Sequence, residues 1–233
     1  MLSADVDIAS NLARVREQIA HAALHAGRKP EEITLVGVSK THPPDDVAAA
    51  VRAGLRDVGE NRVQEAAPKV AAVRKLIREP ATWHMVGHLQ TNKVNASLEV
   101  FDSIDAVDSL HLAEALSKRV HGRRLPILLE VYVGDDPDRP GFRPPGLEEA
   151  VGQVLQLPGL DVQGLMTVAP LGEDPRPAFR QVATLRNQLA AAYPLVHFGV
   201  LSMGMSEDYP VAIEEGSTQV RIGTALFGPR RSG

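Results

Sequence analysis

Short apolar runs of strand length alternate with stretches of helical periodicity, eight times in succession. The runs are ITLVGVS (33–39), DVGE (57–60), WHMVG (83–87), FDSIDAV (101–107), PILLEVYV (126–133), LDVQGLMTV (160–168), FGVLSMG (198–204) and TQVRIG (218–223). Strands that read apolar almost throughout are covered on both faces, as in parallel sheets. The intervening stretches repeat apolar residues at helical spacing, as in Val63, Ala66, Val70, Val73 and Ile77, or Phe179, Val182, Leu185 and Leu189. Others run from about Asp45 to Ala53, from Thr91, through Leu112, Leu116 and Val120, from Leu147 to Leu155, and over 206–215, with a short helical turn closing the chain. An extra amphipathic helix comes first, with Ile8, Leu12, Val15 and Ile19 on one stripe and Gly27 and Pro30 where it stops. Eight strand–helix units predict a single-domain (β/α)8 TIM barrel over 1–233 with an added N-terminal helix. An open doubly wound sheet is the alternative, but it usually opens on a glycine-rich turn. No Gly-x-Gly and no Walker sequence occurs here. The Pro/Gly-rich stretch 134–146 reads as a strand-to-helix loop rather than a hinge.

Composition removes several function classes. There is no cysteine, hence no disulfide, thiolate zinc site or cysteine nucleophile. The net charge of −4 argues against a dominant phosphate-backbone surface, and 4% aromatics leave few rings for stacking bases. The N-terminus carries acids where a secretory signal needs a basic start, and no run approaches a membrane span. The expectation is a cytoplasmic protein with no nucleic-acid and no membrane partner.

In a TIM barrel, chemistry gathers at the C-terminal ends of the strands. The first strand ends in Ser39-Lys40. Six of the 25 basic residues are lysines, and Lys40 alone directly ends an apolar strand; Lys69, Lys75 and Lys118 are expected on polar helix sides. A lysine at an apolar mouth can lose its proton and form a Schiff base, or it can simply top a strand in solvent. SMGMSED (202–208) is a short loop running into a helix expected near Ser206, and Gly223-Thr224 opens another one unit later. Helix starts after the seventh and eighth strands of a barrel suit a phosphate; a plain turn and an N-cap serine are the alternatives. Arg221 lies inside an apolar strand and needs an acceptor. That acceptor is either a carboxylate such as Glu60 or the ring nitrogen of pyridoxal phosphate. A lysine, a phosphate cradle and a ring-nitrogen partner make up the protein side of such a site.

The stretches LVGVSKTHP (35–43), GENRVQEA (59–66), WHMVGHLQTNKV (83–94), GLMTVAP (164–170) and LSMGMSEDYPVAIEEGSTQVRIGTALFG (201–228) resemble the pyridoxal-phosphate homeostasis proteins, which are similar to the barrel domain of alanine racemase. The resemblance implies a monomeric barrel that binds pyridoxal 5'-phosphate and buffers or delivers it, with effects on vitamin B6 and amino-acid balance and no defined reaction. PLP-dependent apoenzymes are the implied acceptors. By position, it makes Lys40 the Schiff-base lysine, puts Ser206, Gly223 and Thr224 on the phosphate with Ser202 nearby, and faces Arg221 to the pyridine nitrogen. Asn61, His84 and Met166 are implied to line the cleft. Two positions depart from the family: His42 and Arg139 stand where many members carry lysines, and arginine cannot form an imine.

A small amino-acid racemase is the alternative function. It needs opposed acid and base groups, and the chain to Gly233 is expected to hold no second domain that would supply a tyrosine. Tyr132 is expected within the fifth strand, Tyr193 at a helix end, and Tyr209 near the mouth. His84 and His88 straddle a strand and its loop, so no metal pair is expected.

Overall fold

The computed structural model describes residues 6–229. Eight parallel strands close into a barrel in chain order. They are β1 (Thr34–Val38), β2 (Asp57–Glu60), β3 (Thr82–Met85), β4 (Ser103–Val107), β5 (Leu125–Glu130), β6 (Leu160–Met166), β7 (Val200–Ser202) and β8 (Gln219–Ile222). The helices are α1 (Ile8–His25), α2 (Pro44–Arg52), α3 (Val63–Leu76), α4 (Val94–Val100), α5 (Leu110–Ser117), α6 (Leu147–Leu155), α7 (Pro175–Ala192), α8 (Tyr209–Glu214) and α9 (Thr224–Phe227). The chain thus forms the expected TIM barrel with its preceding helix.

α1 starts because Asp7 accepts the Ser10 N–H at 2.9 Å, a side-chain cap for an otherwise unmatched donor. Its stripe Ile8, Leu12, Val15 and Ile19 is buried, and the helix packs against α2, α8 and α9. Outward-facing strand residues and inward-facing helix residues make one continuous shell, with Trp83, Phe101, Phe179 and Phe227 fully buried in it. Among the described residues, no helix is long and apolar enough to cross a membrane.

Strand register fixes what faces inward. Val36 lies opposite both Arg221 and Asp57, Gly59 opposite His84, and Met166 opposite both Glu130 and Ser202. Side chains alternate along a strand, so Arg221, Asp57, His84 and Ser202 share the interior while Glu60 and Trp83 face the helices.

Two elements differ from expectation. α8 begins at Tyr209, not near Ser206. Asp208 Oδ1 accepts the Met205 N–H at 2.6 Å, so 205–208 forms a turn before the helix. β5 ends at Glu130, which leaves Tyr132 outside the strand. An isolated bridge between Val131 and Phe142 draws the following loop back, and Arg139 and Arg143 lie over the Tyr132 ring at 5.5 and 4.7 Å from its centroid.

Candidate functional site

The mouth of the barrel is built where β1, β2, β6, β7 and β8 end. Lys40 lies two residues past Val38, the last residue of β1, and Ser39 between them faces outward, its Oγ donating to Glu60. It sits on a tight turn: the His42 N–H reaches the Ser39 carbonyl at 3.0 Å, and Thr41 has φ +66°. That φ is unusual for a β-branched residue, and strain of this kind gathers at functional sites.

Arg221 is almost fully buried. Its guanidinium donates to the Ser202 carbonyl at 2.9 Å, to Ser202 Oγ at 2.8 Å and to the Thr167 carbonyl at 2.8 Å. Those bonds use three of the five N–H groups of a guanidinium. Burial pushes its pKa down against the pull of Asp105, Glu130 and Asp208. Glu60 is not its partner: it faces outward and takes Lys69 Nζ at 2.6 Å and Ser39 Oγ at 2.5 Å. Lys69 is likewise buried rather than on a polar helix side.

The two loops expected to hold a phosphate lie side by side, after neighbouring strands. Ser206 is half-buried in the 205–208 turn. Gly204 before it has φ +95°, and a Cβ there would lie 2.8 Å from Tyr209 Cα, so the turn packs closely on α8 only as glycine. The Gly204 carbonyl accepts the Arg221 N–H at 3.0 Å and ties this loop to β8. Gly223 precedes α9, and its carbonyl accepts from Leu226 and Phe227, so Thr224 and Ala225 stand at the helix start where N–H groups lack intrahelical partners. A Cβ at Gly223 would meet the Val38 carbonyl at 3.3 Å, which places this turn beside the end of β1.

Asn61 follows β2 directly, and its buried Oδ1 has no hydrogen-bond partner; the same holds for Thr167 Oγ1. Unsatisfied buried acceptors are costly and mark places where a ligand donor fits. Met166 is buried in a small interior group with Ala106 and Leu128.

His84 is placed differently. Its Nδ1 meets Asp105 at 3.0 Å and its Nε2 meets Asp57, the first residue of β2, also at 3.0 Å. Both ring nitrogens are thus engaged by carboxylates of β2 and β4 inside the barrel. Burial opposes its charge, but the two carboxylates outweigh it and raise its pKa to about 10. Asp105 also accepts from Gln219 Nε2 at 2.8 Å, and Gln219 donates to Ser202 Oγ at 3.0 Å. A chain of polar contacts therefore runs from Asp57 through His84, Asp105, Gln219 and Ser202 to Arg221. His88 instead meets Asp108 at 2.6 Å outside the barrel interior. Tyr209 is turned away from the mouth, its hydroxyl donating to Gln18 Oε1 on α1 at 2.7 Å.

Glu130 was not anticipated. It ends β5 opposite Met166, facing inward. Burial pushes its carboxyl up to about 7, the Asp108 charge adds to this, and Arg221, Arg139 and His88 work against it. Its sequence signal was a lone acid ending an apolar strand.

The barrel of this chain matches proteins of known kind. The family model described as "Alanine racemase, N-terminal domain" matches residues 10–231. A protein of Escherichia coli K12 named "Pyridoxal phosphate homeostasis protein" is 42% identical, covering 96% of this chain and 97% of that one. One of the same name from Aquifex aeolicus is 43% identical, covering 94% and 97%. Such relatives are named for homeostasis, not for a reaction. The structure of PipY from Synechococcus elongatus with PLP bound is 39% identical and superposes with a TM-score of 0.84, covering 95% of this chain and all of that one. Alanine racemase from Corynebacterium glutamicum, at 18% identity and a TM-score of 0.65, shares the fold; 94% of this chain matches 62% of that one. With an alanine-racemase-type barrel across nearly all its length and this level of identity to its relatives, the chain belongs to the pyridoxal phosphate homeostasis protein family.

Proposed function

We propose that this protein binds pyridoxal 5'-phosphate at the barrel mouth, holds its aldehyde on Lys40 as a Schiff base, and buffers or delivers it to PLP-dependent apoenzymes. The observation that carries the reading is Arg221, a buried cation at the mouth whose hydrogen bonds among the described residues go to neutral oxygens of Ser202 and Thr167, with N–H groups retained for a ring nitrogen. The other residues fit the same group. The Ser206 turn and the Gly223-Thr224 helix start would take the phosphate, and the partnerless Asn61 Oδ1 would accept from a ring hydroxyl. Met166 and His84 would line the cleft, with His84 joined to Arg221 through its polar chain. The PLP-bound relative supports binding of the same cofactor. The bound cofactor would supply an aldehyde that exchanges between amines and a ring that accepts electrons. Arginine only donates and stays charged, so Arg221 leaves the ring nitrogen unprotonated, which favours holding and exchange over carbanion chemistry. The reading includes a monomer working in the cytoplasm.

The racemase alternative loses its tyrosine, since Tyr209 points to Gln18. The test is the visible absorbance of the purified protein, followed by borohydride reduction and peptide mapping. A band that is lost in Lys40→Ala, with the label on Lys40, is the expected result. A protein that stays colourless and takes up no added cofactor overturns the reading.

A further inference from the structure

Lys40 is held from outside the barrel. The turn Ser39-Lys40-Thr41-His42 has a positive φ at its third residue, where such turns favour Gly or Asn and this chain has Thr. Three side chains of one short run, Glu60, Glu65 and Lys69, grip the residues on either side of Lys40. Glu65 Oε1 accepts the Thr41 N–H at 2.5 Å. Lys69 Nζ donates to the Ser39 carbonyl at 2.7 Å, and Glu60 Oε1 accepts from Ser39 Oγ at 2.5 Å. Lys69 also bonds both carboxylates, Glu60 at 2.6 Å and Glu65 at 3.2 Å, so the three act as one unit. Burial pushes the Glu60 carboxyl up against these bonds, whereas the Thr41 and Lys69 contacts hold Glu65 below its ordinary value despite burial. At its far end, the turn is seated by the His42 ring, buried 5.3 Å from the Phe227 ring centroid.

We propose that Glu60, Glu65 and Lys69 are positioning residues that force the Thr41 conformation and thereby aim Lys40 into the mouth. Lys69 is then a locked ammonium and not a second imine lysine. This deepens the reading of Lys40 as the cofactor lysine and rests on it. A backbone misplaced by about an ångström slows a covalent step severely, so the clamp acts on the rate at which the Lys40 amine meets an aldehyde.

The experiment follows imine formation with added pyridoxal phosphate by stopped-flow absorbance across pH in the full chain, then maps the borohydride-reduced label. Glu65→Ala is expected to slow Lys40 imine formation about tenfold. Glu65→Gln keeps an acceptor for the Thr41 N–H and is expected to stay within about twofold. Thr41→Gly added to Glu65→Ala is expected to restore most of the rate, because glycine adopts φ +66° without a clamp. A merely structural role would change melting temperature in Glu65→Ala and leave both the rate and its pH profile alone. A wild-type rate in Glu65→Ala, failure of the glycine rescue, or label on Lys69 in addition to Lys40 overturns the clamp while leaving the functional reading intact. A wild-type protein with no label on Lys40 overturns both.

Discussion

The inside of this barrel and the shell around it are built from opposite materials. The shell between strands and helices is apolar, with Leu12, Trp83, Phe101, Leu112, Phe179 and Phe227 buried completely or nearly so. The inside has a small apolar group of Ala106, Leu128 and Met166, and much of the rest is polar: Asp57, His84, Ser103, Asp105, Gln219, Ser202 and Arg221. Barrel interiors are more often filled with branched apolar side chains. The difference separates two tasks. Burial in the shell supplies the non-directional driving force. The interior supplies direction, because hydrogen bonds of fixed length link Arg221 at the mouth to the strand starts.

The largest expected effects test whether the two regions are equally needed for stability and differently needed for binding. Phe179→Ala in the shell should cost about 3–5 kcal/mol by leaving a cavity. His84→Leu in the interior should cost about as much, for a different reason: it strands the buried Asp105 carboxylate without its cation. Denaturant melts of each variant check the sizes, and a double variant checks the cause. His84→Leu with Asp105→Leu should recover a good part of the loss, since two apolar residues replace an ion pair at little cost. No recovery would mean that the interior matters by volume alone, and the distinction drawn above would fail. Arg221→Lys should be milder in stability yet weaken cofactor retention, because a lysine cannot reproduce the fork held by Ser202 and Thr167.

The shell was far more legible in the sequence than the interior. Strands covered on both faces produce apolar runs, and helices produce stripes, so all eight units stand out from local pattern. Lys40 stands out as a candidate because it directly follows such a run. The partner of Arg221 could not be found, because that needs register across strands. Glu60 is three positions from Asp57, hence on the opposite face, and only the pairing of Val36 with both Asp57 and Arg221 reveals that Glu60 faces away. Lys69 was misread although its signal was present: it falls three residues after Ala66 and four before Val73, within the buried stripe of α3. The start of α8 was misplaced because Ser206 and Asp208 are both competent caps, and which one ends the turn depends on the Met205 N–H. Tyr209 was placed near the mouth by chain position, but its direction is decided by α1, which is distant in sequence.

The interior should also announce itself through pH. His84 has its pKa raised from 6.5 to about 10 in the fold. Its stabilising contribution is therefore complete below about pH 6.5 and is lost as pH rises toward 10. Asp105 is held below its ordinary value, so its contribution is present above that ordinary value and is lost only as pH falls through the lowered one. Unfolding free energy should decline on the alkaline side in the wild type and stay flat there in the His84→Leu, Asp105→Leu double variant. An alkaline decline of equal slope in both would assign it to surface groups instead.

Glu130 gives the smallest effect and the finest division between the regions, because it stands where the interior opens to the mouth. Its carboxyl is raised from 4.5 to about 7, burial being the main cause. A raised carboxyl means that the folded state binds the proton more tightly than the unfolded one. Stability then falls as pH rises from about 4.5 to 7, opposite in sense to a salt-bridged acid. Glu130→Gln removes that fall. The variant should match the wild type near pH 4 and exceed it at pH 8, read as a gap between the two denaturant midpoints that widens with pH. A constant offset between the two at every pH would show that the Glu130 carboxyl titrates as an ordinary surface acid, and that the polar interior stops short of the mouth.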